Sequence, residues 1–277
     1  MRKNKVYLYL YLYLYLYLYL YLYLIMPFFT ADLHVHTVLS ACAEPEMLPE
    51  LILERAGELG LDLIAVTDHN SAENAAAMLH AAEDTAITVW PGMEVQTREE
   101  VHLLCLFDRL PQALAWQEVV YANLPPLKNR PSVFGQQVVL AEDGEPLSYN
   151  DRLLQTSTFL SVDEVATQVQ GMGGLCIPAH VDRPVYSIIA NLGFVPPELS
   201  LPGVEISPLI TARDARARFP QLARYGLIAN GDAHRLCEML RRTTLKLAHR
   251  TVAELALALA GEGERGVWVD GMRSGPV

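Results

Sequence analysis

Two histidines lie one residue apart in the segment ADLHVHTVLSACAEP, which covers positions 31 to 45. His34 and His36 follow a short apolar run, and Cys42 comes soon after them. Side chains alternate between the two faces of a β-strand, so an HxH pair directs both imidazoles to the same side. Imidazole and thiolate are both ligands for divalent transition metals. The segment therefore predicts the first part of a metal site, and the rest of the chain must supply the other ligands.

Further histidines and carboxylates occur at the ends of other apolar runs. A single histidine there is usually a structural hydrogen-bonding group, and a single Asp or Asn is usually a helix cap. In parallel α/β sheets, however, the carboxyl ends of the strands meet on one face, where active sites are assembled. The joint pattern therefore predicts metal binding. The candidates are Asp68 and His69 in LIAVTDHN, Glu94 in ITVWPGME, His102 in VHLLCLF, His180 in GLCIPAH, and Asp232 and His234 in LIANGDAH.

The remaining histidines and cysteines receive structural interpretations. His80 falls within an Ala-rich helical pattern and His249 precedes a helix cap, so neither is expected to bind metal. Cys105 and Cys176 lie inside apolar runs and are expected to be packed core thiols. The pattern around Cys237 leaves its role open.

Apolar runs alternate with helical patterns from Phe28 onward. MLPELILERAGELG has apolar residues at helical spacing and predicts a helix that ends at Gly60. Capping boxes are predicted for the pairs Asn70–Glu73, Ser161–Glu164 and Thr251–Glu254. The alternation predicts an α/β protein with a parallel sheet that could close into a barrel. The predicted strands cover residues 28–33, 62–67, 87–94, 101–107, 174–179, 203–207, 227–231 and 243–248.

Two stretches depart from this alternation. Residues 7–24 are consecutive Tyr-Leu pairs. Three interpretations of residues 1–25 remain open: a wrongly assigned start or appendage, a membrane or export segment, or a functional tail. We exclude 1–25 from the fold and expect one domain over 26–277. Within it, residues 108–158 contain several Pro and Gly turn signals and are interpreted as an inserted lobe.

Composition limits the classes of function. With 277 residues, 51% of them hydrophobic, the chain can bury a large core. The four cysteines show no tight spacing, which is typical of a reducing compartment and predicts a cytoplasmic protein. A formal charge of −11 disfavours nucleic-acid binding that is independent of sequence. We also expect no sequence-specific DNA binding and no membrane association. A small nucleotide or an RNA end held through cations is compatible with this charge.

Taken in chain order, DLHVHT, TDHN, PGMEV, a strand histidine, PAHVDRP and NGDAH resemble the motifs of the polymerase and histidinol phosphatase (PHP) family. The resemblance runs from about Thr30 to His234. It implies a distorted seven-stranded TIM-like β/α barrel, with two or three divalent metal ions (Zn, Mn or Fe) at the strand ends. It also implies hydrolysis of a phosphoester by metal-activated water.

Position by position, the resemblance implies three groups of ligands, with Glu94 shared between two of them and Glu94, His180 and Asp232 in catalytic roles. Many members with three metals have a histidine where this chain has Cys42. The spacing from His34 is kept, so Cys42 is expected to be a ligand, and a thiolate suits Zn²⁺ or Fe²⁺ better than Mn²⁺ or Mg²⁺. The alternative is that Cys42 is a bystander and the third site is weak or empty. The groups are His34, His36, Glu94 and Asp232; Glu94, His102 and His180; and Cys42, His69 and His234.

Neighbouring charged residues could support these ligands. Asp32, Asp68 and Asp182 are candidates for orienting the histidine rings. Arg183 and Arg235 could bind the substrate phosphate through paired hydrogen bonds. Each arginine could equally be a surface residue paired with an acidic neighbour.

The resemblance implies a free-standing phosphoesterase that acts on a small phosphorylated substrate. A lobe between the strands of His102 and His180 is similar to the nucleotide phosphoesterase and exoribonuclease branch, which favours a nucleotide 3',5'-bisphosphate or a short oligonucleotide. Tyr121, Phe134 and Tyr149 are candidates for stacking a base, with packing as the alternative. A histidinol-phosphate-type phosphomonoesterase is the second hypothesis, and a non-catalytic metal-binding regulatory module is the third. Only position 42 departs from the ligand pattern, which favours an enzyme. The sequence predicts no oligomeric state.

Overall fold

A curled, mixed sheet of eight strands forms the centre of the computed structural model, which describes residues 13–15 and 26–276. The strand order in this sheet is β12-β11-β10-β1-β2-β3-β4-β7, and the pairs β5–β6 and β8–β9 form two smaller sheets. The strands are β1 (Phe28–Val35), β2 (Leu63–Val66), β3 (Thr88–Gln96), β4 (His102–Leu106), β5 (Val138–Leu140), β6 (Pro146–Tyr149), β7 (Leu175–Pro178), β8 (Gly203–Ile206), β9 (Gly226–Ala229), β10 (Thr243–Lys246), β11 (Gly266–Val269) and β12 (Met272–Arg273).

Helices cover the outer face of the sheet and connect its strands. In the described part of the chain they are α1 (Pro49–Leu59), α2 (Ala75–Ala81), α3 (Leu110–Ala122), α4 (Pro131–Phe134), α5 (Val162–Gly171), α6 (Ile188–Leu192), α7 (Ala212–Arg218) and α8 (Val252–Ala260), with 3₁₀ turns at Pro220–Arg224 and Leu236–Glu238.

The sheet is mixed, so the expectation of a parallel sheet is only partly correct. β1, β2 and β3 are parallel to one another, but β4 pairs antiparallel with both β3 and β7, and β10 pairs antiparallel with β1. The link between β3 and β4 is residues 97–101, and a crossover between parallel strands needs about a dozen residues or more. A short link therefore forces a hairpin. The count of seven β/α units implied by the resemblance is not confirmed by this half-barrel.

The parallel pair β8–β9 lies between the two ends of the curled sheet. Val181, just after β7, donates its backbone N–H to the carbonyl of Glu205 in β8 at 2.9 Å. Beyond β9, Ala233 exchanges backbone hydrogen bonds of 3.0 Å with His34 and His36. These contacts bring the carboxyl ends of β7, β8 and β9 next to that of β1.

Strand β1 shows how sequence alternation builds both core and site. Ala31, Leu33 and Val35 are buried on one face and belong to the hydrophobic core. His34 and His36 point to the opposite side and are buried as well. Because both faces of β1 are covered, its polar residues lie in the interior of the curled sheet, where an unpaired polar group would be costly.

The eight predicted strands correspond to β1–β4 and β7–β10, with bounds that agree within two residues. The short strands β5, β6, β11 and β12 were not predicted. The stretch 108–158, interpreted as an inserted lobe, contains α3, α4 and the β5–β6 hairpin. Its assignment as a lobe within a domain over 26–277 stays a prediction.

Two of the three predicted capping boxes cap a helix. Ser161 and Glu164 form a full box, with backbone-to-side-chain hydrogen bonds of 3.1 and 2.8 Å. Thr251 caps α8, although the carboxylate of Glu254 accepts from the backbone of Ala248 and from Arg265 instead. The expected box at Asn70 is wrong, since α2 begins only at Ala75. The Asn70 amide donates to the carbonyls of residues 154 and 156 and holds the following loop instead.

Other expectations concern single residues and the first segment. Cys105 and Cys176 are buried free thiols, as expected, and Cys237 is exposed. His80 lies on the exposed face of α2, 3.7 Å from Glu83. Of the Tyr-Leu tract only residues 13–15 are described, and they are helical. The rest of 1–25 lies outside the described residues, so the three interpretations of this segment stay predictions. Among the helices of the described part, none has the length and apolar character needed to cross a membrane.

At Gly226, strand β9 packs closely against the backbone of α8. A Cβ at this buried position would lie 2.7 Å from the Leu259 Cα, which is backbone and cannot rotate away. We expect Gly226→Ala to lower the free energy of unfolding by about 1–3 kcal/mol, as overpacked sites do. Gly57→Ala, in α1 with no atom within 4 Å of the added methyl, should raise it by about 0.5–1 kcal/mol. Urea denaturation of the full chain would measure both, and equal effects would contradict the close approach.

Candidate metal centre

The strand ends bring six histidines and two carboxylates to one place. β1 supplies His34, with His36 directly after its end, β3 supplies Glu94, and β4 supplies His102 at its first residue. The other residues follow β2, β7 and β9 directly. Three sets of side chains have ligand atoms within 4.8 Å of one another: His34, His36, Glu94 and Asp232; His69, Glu94 and His102; and His36, His69 and His234.

The buried carboxylate of Glu94 lies at the centre of this cluster. Both of its oxygens face imidazole nitrogens from several strands. The side chains in these contacts are buried or nearly so. Its Oε1 lies 2.8 Å from His102 Nδ1, 3.1 Å from His180 Nε2 and 3.3 Å from His34 Nε2, and its Oε2 lies 2.9 Å from His69 Nδ1.

His34 and His36 share a second carboxylate. The Nε2 atoms of the two rings lie 3.1 Å apart, and each is within 3.2 Å of Asp232 Oδ1. In addition, His102 Nε2 and His180 Nδ1 are buried without a hydrogen-bond partner among the described residues. Imidazoles and carboxylates gathered in this way form the donor set that Zn²⁺, Mn²⁺ and Fe²⁺ accept. The residues present therefore fit a divalent metal centre.

The charges in the cluster are strongly coupled. Burial disfavours the charged form of His34, but Asp232, Glu205 and Glu94 outweigh it and raise the pKa of His34 well above its ordinary value. Burial would likewise raise the pKa of Glu94, but His102 and His34 lower it well below its ordinary value. Burial would raise the pKa of Asp232 as well, but histidines lower it well below its ordinary value, so both carboxylates favour the ionised form.

Cys42 lies at the edge of the cluster beside His69 and His234. Burial would raise the pKa of its thiol, but hydrogen bonds with His234 and His69 lower that pKa to about 7. The tight set at this position contains His36 in addition to those two histidines. The thiol therefore lies beside the two histidines with which the resemblance groups it. Its role as a metal ligand stays a proposal.

Glu205 is the residue that sequence reasoning missed. It is buried in β8, and both of its oxygens lie 3.1 Å from His34 Nδ1. The same carboxylate accepts from Asn230 Nδ2 at 2.8 Å and from the backbone N–H of His180 at 2.9 Å. The available signal was a glutamate inside the apolar run GVEIS, where a charged residue must have a buried partner.

The three aspartates proposed to orient histidine rings have different partners. Asp68 accepts from Ser40 Oγ at 2.7 Å, and that hydroxyl lies 3.0 Å from His36 Nδ1, so Asp68 acts on His36 through the serine. Asp32 accepts the backbone N–H groups of Gly231 and residue 240, which fixes the loop that carries Asp232. Asp182 accepts from the backbone and hydroxyl of Ser207, so it joins two loops.

The two arginines proposed to bind phosphate are placed differently. Arg183 Nη1 lies 2.6 Å from Asp232 Oδ2, and its side chain is 31% exposed. Arg235 pairs with Glu44 at 3.2 Å on the surface, with 57% of the side chain exposed. The structure thus places the guanidinium of Arg183 beside the cluster and gives that of Arg235 an acidic surface partner.

A cavity of about 430 Å³ opens next to the cluster. Its walls come from the loops that follow β1, β7, β8 and β9, so a ligand in it would reach the carboxyl ends of these strands. The lining residues are Cys42, Arg183, Pro208, Gly231, Asp232, His234, Glu238 and Leu240.

Two site residues have strained backbones. His180 has a φ of 30° and Asp232 has a φ of 49°, a left-handed conformation that is uncommon for residues other than glycine. Hydrogen bonds hold the surrounding backbone: Glu205 accepts the N–H of His180, and Asp32 accepts that of Gly231. Strain of this kind persists where neighbouring contacts determine the conformation, and it is concentrated at functional sites.

Residues 32–185, more than half of the chain, match the family described as the PHP domain. The matched region contains the carboxyl half of β1 and all of β2 to β7, and with them five of the six clustered histidines. The chain belongs to the PHP domain family.

Similar proteins extend this finding. An uncharacterised protein of Methanocaldococcus jannaschii is 29% identical over 99 residues, which are 32% of this chain and 58% of that protein. The lesion-specific endonuclease Q of Pyrococcus furiosus has a similar fold, with a TM-score of 0.65 and 20% identity over 87% of this chain. A complex of endonuclease Q with a 27-mer duplex that carries an abasic lesion gives a TM-score of 0.62, also at 20% identity over 87% of this chain. The chain spans 58% of the length of each of these proteins.

Glu205 gives a test of the outer layer of the centre. We expect Glu205→Gln to lower the affinity for Zn²⁺ or Mn²⁺ by about 10–100-fold, because the hydrogen-bond partners of ligating histidines fix their tautomer and orientation. Glu254→Gln is the matched control, since that carboxylate pairs with Arg265 outside the cluster. Competition with a metal-sensitive dye would measure the affinity. Equal affinities in the two variants would show that Glu205 has no part in metal binding.

Proposed function

We propose that the protein is a metal-dependent phosphoesterase that hydrolyses a phosphoester of a nucleotide or a short oligonucleotide. The observation that carries this proposal is the convergence of six histidines, Glu94 and Asp232 beside a cavity that Arg183 also lines. Membership of the PHP domain family supports it.

The proposed ligands follow the implied groups. Divalent cations held there would lower the pKa of bound water and balance negative charge on phosphoryl oxygens. Glu94 is proposed to serve two groups, because its two oxygens face different histidines. One group is His34, His36, Glu94 and Asp232, the second is Glu94, His102 and His180, and the third is Cys42, His69 and His234.

The protein's own groups prepare this site for phosphate. The carboxylate of Glu205 favours a proton on His34 Nδ1. The lone pair of Nε2 is then directed at the cluster. Ser40, held by Asp68, contacts Nδ1 of His36, whose Nε2 faces Asp232. The planar guanidinium of Arg183 offers paired N–H donors to a phosphate in the cavity.

A nucleotide substrate is favoured over histidinol phosphate by the fold likeness to endonuclease Q, which extends over 87% of this chain. The chain spans only 58% of that protein, and its formal charge of −11 disfavours a long nucleic-acid contact. We therefore propose a small nucleotide or a short single-stranded end as the substrate. The completeness of the ligand set favours turnover over a purely regulatory metal-binding role.

The test is turnover by the full chain loaded separately with Mn²⁺ and with Zn²⁺. The substrates are a nucleotide 3',5'-bisphosphate, a short 5'-phosphorylated RNA and histidinol phosphate, with phosphate release or product length as the readout. We expect hydrolysis of a nucleotide substrate and a fall of at least about 100-fold in His36→Ala, because one ligand of the first group is lost. A preference for histidinol phosphate would contradict the proposed nucleotide substrate and support the phosphomonoesterase hypothesis. Tight metal binding with no turnover would favour the regulatory role.

Cys42 is tested by metal content. We expect Cys42→Ala to reduce the bound Zn²⁺ by one ion per chain when zinc is supplied in the amount that just fills the unmodified chain, with little change for Mn²⁺, because only the softer ion gains from a thiolate ligand. Cys237→Ala, which removes the other exposed thiol, is the control. Mass spectrometry under native conditions would count the ions. An unchanged zinc count in Cys42→Ala would remove Cys42 from the ligands.

A further inference from the structure

Tyr186 is an aromatic residue at the metal centre that the proposed chemistry has not used. It lies in the loop between β7 and α6, and its ring stacks on the ring of His102 with centroids 4.8 Å apart and planes 18° apart. Its carbonyl accepts the backbone N–H of His102 at 3.0 Å. Both the backbone and the ring of Tyr186 are therefore fixed against a proposed ligand.

The backbone of Tyr186 is strained. Its φ is 56°, in the left-handed region, where a bulky residue is a genuine outlier and where Gly or Asn would fit better. Despite this, the residue is 44% exposed and so obtains only part of the stabilisation that burial of an aromatic ring provides. Packing alone gives a weak reason for an aromatic side chain here.

The same loop also carries the proposed phosphate ligand. His180 lies near its start beside Glu94, Arg183 contacts Asp232, and Tyr186 stacks on His102. The guanidinium and the aromatic ring are thus held on two sides of the cluster by a segment of seven residues. Val185, next to Tyr186, is 56% exposed and adds apolar surface at this edge.

We propose that Tyr186 is the specificity residue on which the base of the substrate nucleotide stacks while its phosphate contacts Arg183. The inference rests on the proposed function and narrows it to phosphoesters with a planar aromatic ring. Every nucleobase has a π-face, so such a platform favours nucleotides without selecting among bases. Neither Tyr121 nor Phe134 nor Tyr149 is needed for this role.

The experiment compares two ligands with the same phosphate. AMP and ribose 5-phosphate differ only in the base, and calorimetry would give the affinity of each for the Zn²⁺-loaded full chain, with orthophosphate as a further ligand. We expect AMP to bind roughly 5- to 150-fold more tightly than ribose 5-phosphate, the range that base stacking on an aromatic side chain provides. Tyr186→Asn, which tolerates the left-handed backbone, should abolish this difference and leave the affinity for ribose 5-phosphate unchanged.

Two further variants sharpen the result. Tyr186→Phe keeps the ring and should keep the preference for AMP, and Tyr149→Ala removes an exposed tyrosine in the lobe and should have no effect. Equal binding of AMP and ribose 5-phosphate by the unmodified chain would overturn the stacking role of Tyr186. The proposed phosphoesterase function would be unaffected. A parallel loss of both ligands in Tyr186→Asn would assign Tyr186 to positioning His102 instead. No binding of AMP, ribose 5-phosphate or orthophosphate would overturn the proposed function as well.

Discussion

The structure depends on one constraint: the carboxylates of Glu94 and Asp232 are ionised in an interior where charge is expensive. Isolated, each would cost several kcal/mol, so the fold must bring compensating groups to them. It does so with imidazoles from different strands, which places His34, His102 and His180 within 3.3 Å of one Glu94 oxygen. The convergence of the strand ends is therefore an electrostatic requirement of the folded chain as well as the basis of its proposed chemistry.

Buried carboxylates around the cluster fix the positions of its histidines and loops. Glu205 connects β8 to His34, to Asn230 and to the strained backbone of His180 with a single carboxylate. Asp68 does the same for the first loop, since it accepts from Thr37 and from Ser40. Because each carboxylate binds both a loop and a histidine or its partner, a shift of any strand would disturb several ligands at once. This coupling explains why so many polar groups can be buried together.

Features of the fold and site that depend on neighbouring residues could be predicted from the sequence. Features that depend on residues distant in the chain could not. The positions of β1 and β3 and the placement of His34 and His36 on one side depend on local patterns, so the sequence alone predicts them. The antiparallel course of β4 and the wrong cap at Asn70 depend on partners distant in the chain: β7 for the strand, residues 154 and 156 for the amide. Glu205 was missed for the same reason, since its histidine partner lies 171 positions away.

Asp232 joins the ligand cluster to the proposed substrate cavity. One of its oxygens faces His34 and His36, and the other accepts from Arg183 at 2.6 Å. The ion pair with Arg183 balances part of the charge of this carboxylate. The phosphate role proposed for Arg183 would require its guanidinium to leave Asp232, which His34 and His36 would still face. Asp232 adopts a left-handed backbone conformation, with a φ of 49°, at the point where its two oxygens meet these different partners.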